Sequence, residues 1–140
     1  MIVVNETKES VLAKNVWVAE NFFERLRGLI GSPALVEGEG FLIPSCSGIH
    51  TFGMNYLIDA IYLDRNGRAV EVISSLKPNS FGIVNFQARS VLELPEGTIE
   101  RTKTEKGDLL FIADISSFST SGEPAKKILS LLPLRPTFNI

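Results

Sequence analysis

One cysteine and one histidine are all the chain holds of these two types, and each shortage narrows the reading. A lone Cys46 excludes an internal disulfide and accords with a reducing cytoplasm. Basic clusters are equally scarce. The 14 Lys and Arg residues are outnumbered by 16 Asp and Glu, and the densest basic stretch is only Ala125-Lys126-Lys127, so nucleic acid is not an expected partner. No apolar run reaches membrane-spanning length. The opening Met1-Ile2-Val3-Val4-Asn5-Glu6 has neither the basic start nor the long apolar stretch of a secretory signal, and the chain is read as cytoplasmic. No internal repeat is present.

What is there fits one soluble domain. With 140 residues, 44% of them hydrophobic, the chain can bury roughly two thirds of its unfolded surface in a single core. Ile2-Val3-Val4 and Val16-Trp17-Val18 read as short strands. Phe22, Phe23, Leu26, Leu29 and Ile30 then follow the spacing of one helix face, predicting a helix that ends at Gly31-Ser32-Pro33. Gly28 inside that helix costs about 1 kcal/mol of propensity, which suggests that another part of the chain approaches it closely.

Strands dominate the rest. Phe41-Leu42-Ile43 is stopped by Pro44, and Leu57 to Leu63 runs into Asp64-Arg65-Asn66-Gly67. Asn-Gly predicts a type I′ hairpin turn returning through Ala69 to Leu76. Ser90 to Leu94 and Leu109 to Ile112 complete the set. The fold class expected is mainly β, a compact β-sandwich or barrel with one early helix and a short C-terminal helix. Residues 1–115 form that domain. Residues 116–140 form a linker followed by an amphipathic segment, in which Ala125, Ile128, Leu129 and Leu132 share one helical face between Pro124 and Pro133.

Chemistry-bearing residues concentrate between Gly40 and Gly67, which hold the only Cys, the only His and an Asp within an apolar strand. Cys46, His50 and Met54 recur every four residues, a donor set suited to a soft metal. On an extended chain the outer two stand about 26 Å apart at ~3.3 Å per residue, so they cannot share an ion, and no metal or other cofactor is expected. A thiol nucleophile would need Cys46 and His50 in contact, which a strand does not provide. Asp59 alternates with Ile61 and Leu63 and so falls on an apolar face, where it must be hydrogen-bonded, paired or protonated. It either ties down a loop or binds a ligand. Glu93, between Leu92 and Leu94, reads as a solvated carboxylate.

The order of several short pieces resembles the domain of unknown function 192 family of bacteria and archaea. The pieces are Arg27-Gly28-Leu29, Gly38-Glu39-Gly40, Ile49-His50-Thr51-Phe52-Gly53-Met54, Ile58-Asp59, Leu63-Asp64, Lys77-Pro78, Val91-Leu92-Glu93-Leu94-Pro95, Gly97-Thr98 and Gly107-Asp108. They span roughly residues 20 to 113. The resemblance implies a compact, mainly β domain with a sandwich-like core and no catalytic mechanism. The presence of Cys46, with Gly53 where many relatives place Trp, is similar to the cytoplasmic branch.

These readings converge on a non-catalytic binding domain for a small polar or carbohydrate-like ligand or for a protein partner. Its candidate ligand-binding residues are His50, Phe52, Met54, Asp59 and Glu93, with His50, Phe52 and Met54 on one extended face. The alternative is a hydrolase in which Asp59 and Glu93 form a carboxylate acid/base pair assisted by His50.

Overall fold

A computed structural model describes residues 1–114. The strands are β1 (Ile2–Asn5), β2 (Ser10–Ala13), β3 (Asn15–Val18), β4 (Glu39–Pro44), β5 (Gly48–His50), β6 (Ile58–Leu63), β7 (Ala69–Leu76), β8 (Phe81–Val84), β9 (Ser90–Pro95) and β10 (Leu110–Ala113). Two short helices, α1 (Phe22–Arg27) and α2 (Thr98–Thr102), join them. The expected linker and amphipathic segment at residues 116–140 lie outside the described residues.

The strands form three sheets, ordered β10-β1-β2, β3-β4-β9-β6-β7 and β5-β8. The fold is therefore mainly β, as its sequence predicts, and its sheets stay open rather than closing into a barrel. β3 and β4 run parallel, and the other ladders are antiparallel. No helix of the described residues is long and apolar enough to cross a membrane.

The central strand β6 shows what holds the layers together. All six of its residues are buried, because each face of the strand has its own cover. Ile61 and Leu63 pack with Leu92 and Leu94 of β9, and with Val3, Leu12 and Leu110 of the three-stranded sheet. Ala60 and Tyr62 point the other way, onto Val91, Ala88, Cys46 and Ile49. Each fully buried Leu or Ile contributes roughly 1.5–3 kcal/mol relative to exposure, so the two-sided burial of β6 and β9 carries much of the fold's stability.

Two local expectations are corrected. α1 is six residues long and ends at Gly28, not near Pro33. Asn21 caps its start by accepting the Glu24 N–H at 3.0 Å, and Gly28 adopts φ 54 and ψ −131, which turns the chain out of the helix. The apolar spacing is thereby broken. Phe22, Phe23 and Leu26 are exposed, while Leu29, past the helix, is buried. In the β6–β7 turn Gly67 has φ 84 but Asn66 does not share the positive φ of a type I′ pair. Asp64 closes the turn instead, its Oδ1 accepting the N–H groups of Asn66 and Arg68 at 2.8 and 3.0 Å, as an Asx turn does.

Candidate functional site

The register of β6 against β9 decides which candidate residues meet. Ala60 pairs with Glu93 and Asp59 with Leu94. Paired residues share a face and neighbours along a strand alternate, so Asp59 and Glu93 stand on opposite faces of the sheet. The expected acid/base pair of Asp59 and Glu93 does not form.

Asp59 is fully buried and its carboxylate is satisfied on both oxygens. Oδ1 accepts the Ser75 N–H at 2.9 Å, and Oδ2 accepts the Ile99 N–H at 2.8 Å. The first bond holds β7 where Ser75 takes the left-handed φ of 53. The second satisfies an orphan N–H in the first turn of α2, whose N-cap Gly97 has no side chain to do so. Of the two roles open to Asp59, the geometry favours loop-tying.

Glu93 reverses the expectation of a solvated carboxylate. It is 2% exposed, and its Oε2 meets no hydrogen-bond donor. The cover comes from two places remote in sequence. Gly28 lays bare backbone over the carboxyl, so a Cβ there would lie 3.6 and 3.7 Å from Oε1 and Oε2. β5, paired with β8, closes the other side. Removal from water pushes Glu93 up to about 8, which keeps the group neutral at pH 7. A neutral carboxyl offers one donor and one acceptor at the same point.

That carboxyl lines a cavity of about 90 Å³ with Arg25, Leu26, Gly28, Ile49 and His50 among its walls. The volume suits the end group of a ligand rather than a whole one. His50 is half-buried, and its Nδ1 accepts the Phe52 N–H at 3.3 Å, which makes Nε2 the donor nitrogen. Thr51 fixes this segment: its N–H donates to the Ser80 carbonyl at 2.8 Å, and its hydroxyl accepts the Ser80 N–H at 3.0 Å. The His50 ring lies 5.6 Å from Phe52, and Phe52 meets Phe81 edge-on at 4.7 Å. Both phenylalanines are exposed, so an aromatic platform extends outward from the histidine at the cavity wall.

Met54 does not share this face. A turn at Thr51, Phe52 and Gly53, with Gly53 at φ 84, swings Met54 into the core against Leu29 and Ile58. Cys46 is half-buried, its thiol donating to the Gly48 carbonyl at 3.1 Å. Burial pushes the Cys46 thiol up, the direction opposite to nucleophilic activation. Tyr62 is a further buried group on the Glu93 face. Its hydroxyl lies near the Ile49 backbone but has no hydrogen-bond partner, and burial pushes it up to about 12.

The geometry thus unites Glu93, His50 and Phe52 and separates Asp59 and Met54 from them. It adds Arg25 and Phe81, which nothing in their local sequence singled out, and Gly28, whose place inside an apparent helix was a usable signal. The backbone of Gly28 lies where a side chain is strained, so Gly28→Ala is expected to cost about 1–3 kcal/mol, read as a lower urea midpoint with unchanged slope.

Comparison with known proteins places the chain in a wider group. A family profile described as DUF192, Uncharacterized ACR, matches residues 2–112. A UPF0127 protein of Thermococcus sibiricus is 32% identical over 111 residues, 76% of this chain and 71% of the relative. UPF0127 protein PH1112 of Pyrococcus horikoshii is 37% identical over 114 residues, 76% of this chain and 95% of the relative. A crystal structure of a protein of unknown function from Novosphingobium aromaticivorans superimposes with a TM-score of 0.70 at 18% identity, covering 80% of this chain and 84% of that one. That likeness is one of fold.

Proposed function

The chain belongs to the DUF192 family, and from that footing we propose that it is a non-catalytic binding domain for a small polar, carbohydrate-like ligand whose end group enters the Glu93 cavity. One observation carries the reading. A carboxyl that is 2% exposed and has an oxygen without a donor costs the fold about 1–3 kcal/mol, a cost that a ligand hydroxyl or amide in the cavity would remove. His50 supplies a second polar contact at the wall, and Phe52 with Phe81 supplies an apolar surface for a sugar-like ring. Binding is favoured over hydrolysis because Glu93 is the sole carboxylate lining the cavity among the described residues, whereas glycoside hydrolysis calls for two.

Thermal unfolding in the presence of monosaccharides, disaccharides and polyols tests this. A ligand at a hundred times its Kd is expected to add about 2.7 kcal/mol to the stability of the native chain. The gain should vanish in Glu93→Leu and shrink in Phe52→Ala. An equal gain in Glu93→Leu, or no gain with any compound of these classes, would overturn the proposal.

A further inference from the structure

A second and larger concavity also borders α1, sharing Gly28 with the Glu93 cavity. This groove of about 760 Å³ runs between β3, the start of α1 and the connection that precedes β4. Trp17, Leu35 and Val36 give it an apolar lining, and Glu20, Glu24 and Glu39 stand around it. Trp17 is 46% and Val36 is 62% exposed, so apolar surface that a stable monomer ordinarily covers faces solvent here.

The Glu24 and Glu39 carboxylates are held in place by backbone donors. Glu24 Oε2 accepts the Glu20 N–H at 2.7 Å, and Glu39 Oε2 accepts the Val36 N–H at 3.0 Å. Among the described residues no Lys or Arg forms an ion pair with Glu20, Glu24 or Glu39. The groove is thus apolar within and negative around its edge.

The chain itself carries the complementary piece. Residues 115–140 hold three basic side chains, Lys126, Lys127 and Arg135, against one acidic, Glu123, while the rest of the chain holds eleven basic and fifteen acidic. In helical spacing Ala125, Ile128, Leu129 and Leu132 share one face, with Lys126 at its border and Lys127 on the opposite side. The ten residues after Asp114, through Pro124, span up to about 33–36 Å when extended. Ile2 pairs with Ala113 and the Met1 carbonyl accepts the Val16 N–H, so this tether starts beside β3 and reaches the groove. A short amphipathic segment is unstable as an isolated helix and gains its order from the surface it covers.

We propose that the segment Pro124–Leu132 seats in this groove of its own chain, its apolar face on Trp17, Leu35 and Val36 and Lys126 toward the acidic edge formed by Glu20, Glu24 and Glu39. The docking is intramolecular, so the effective concentration set by the tether makes it independent of protein concentration. It rests on the groove and the segment, and is separate from the ligand reading of the Glu93 cavity.

Trp17 is the only tryptophan, so its fluorescence reports the groove directly. In the full-length chain its emission is expected to be blue-shifted and protected from acrylamide. The full-length double substitution Ile128→Asp with Leu132→Asp should give a red shift and loss of that protection. Lys126→Glu leaves the apolar face intact and should weaken protection at low salt through repulsion from the groove's edge; it decides the matter should the first variant fail to fold. Equal quenching in the native chain and a folded variant overturns the proposal. Protection that disappears on dilution also overturns it, since a second copy would then be the occupant.

Discussion

Replacing Asp59 by alanine is expected to lower the unfolding free energy by about 3–5 kcal/mol, with the urea m-value unchanged. Two backbone N–H groups, those of Ser75 and Ile99, lose their acceptor in a site where Asp59 is fully buried. Each hydrogen bond to a charged group is worth about 1.5–3 kcal/mol, and a donor left buried without a partner adds its desolvation cost. Native domains are stable by about 5–15 kcal/mol, so the change removes a large share of the total. Asp59→Asn should cost less, about 2 kcal/mol, because its single carbonyl oxygen keeps one of the two bonds. A loss below about 1 kcal/mol for the alanine variant would show that the two N–H groups find other acceptors, and would refute the loop-tying role.

The opposite sign is expected at Glu93. Glu93→Leu removes a buried polar group that has an unpartnered oxygen, and should stabilise the protein by about 1–3 kcal/mol at pH 7. Glu93→Gln isolates the charge. With its folded pKa raised from 4.5 to about 8, Glu93 binds more proton in the folded than in the unfolded state throughout that window. Native stability therefore falls as pH rises between those two values, by at most about 1.4 kcal/mol per pH unit. Below the window both states are protonated and the contribution is constant. The glutamine variant cannot ionise, so its profile should be flatter and the gap between the two chains should widen toward pH 8. Parallel profiles from pH 5 to 8 would mean that water or a rearranged donor reaches the carboxylate. A protein that keeps such a group at a cost to its fold shows the pattern of a functional residue.

How much of this was legible in the chain depended on where each residue's neighbours come from. β1, β3, β4, β6, β7, β9 and β10 follow from their apolar character and the turn residues between them. β2, β8 and α2 did not, being pieces of four or five residues whose pattern does not by itself separate strand from helix or loop. Four-residue β8 has three exposed residues, and α2 owes its start to Asp59, about forty residues earlier. The buried state of Asp59 could be read from alternation along β6, but its partners could not, since both are backbone groups brought in by tertiary contact. Glu93 was legible as a candidate and not as a buried one, because its cover consists of a glycine beyond α1 and a strand from another sheet. Met54 was lost to a single turn at Gly53, which local spacing could not place.

The pairing of β1 with β10 has a consequence for how the protein is made. Ile2 lies opposite Ala113 and Asn5 opposite Leu110, so the first of the described strands to be synthesised takes one of its two neighbours from the last of them. Until then Ile2, Val3 and Val4, all buried in the finished fold, have an open strand edge that invites other chains. At about 5–20 residues per second, synthesis of the intervening stretch holds that edge open for about 5–20 seconds. Contacts so distant along the chain also slow the closing step itself, because loop entropy must be overcome before the pairing contributes. The domain's most vulnerable interval is therefore its synthesis, and a chaperone that holds β1 until β10 has emerged should raise its soluble yield more than one that acts after release.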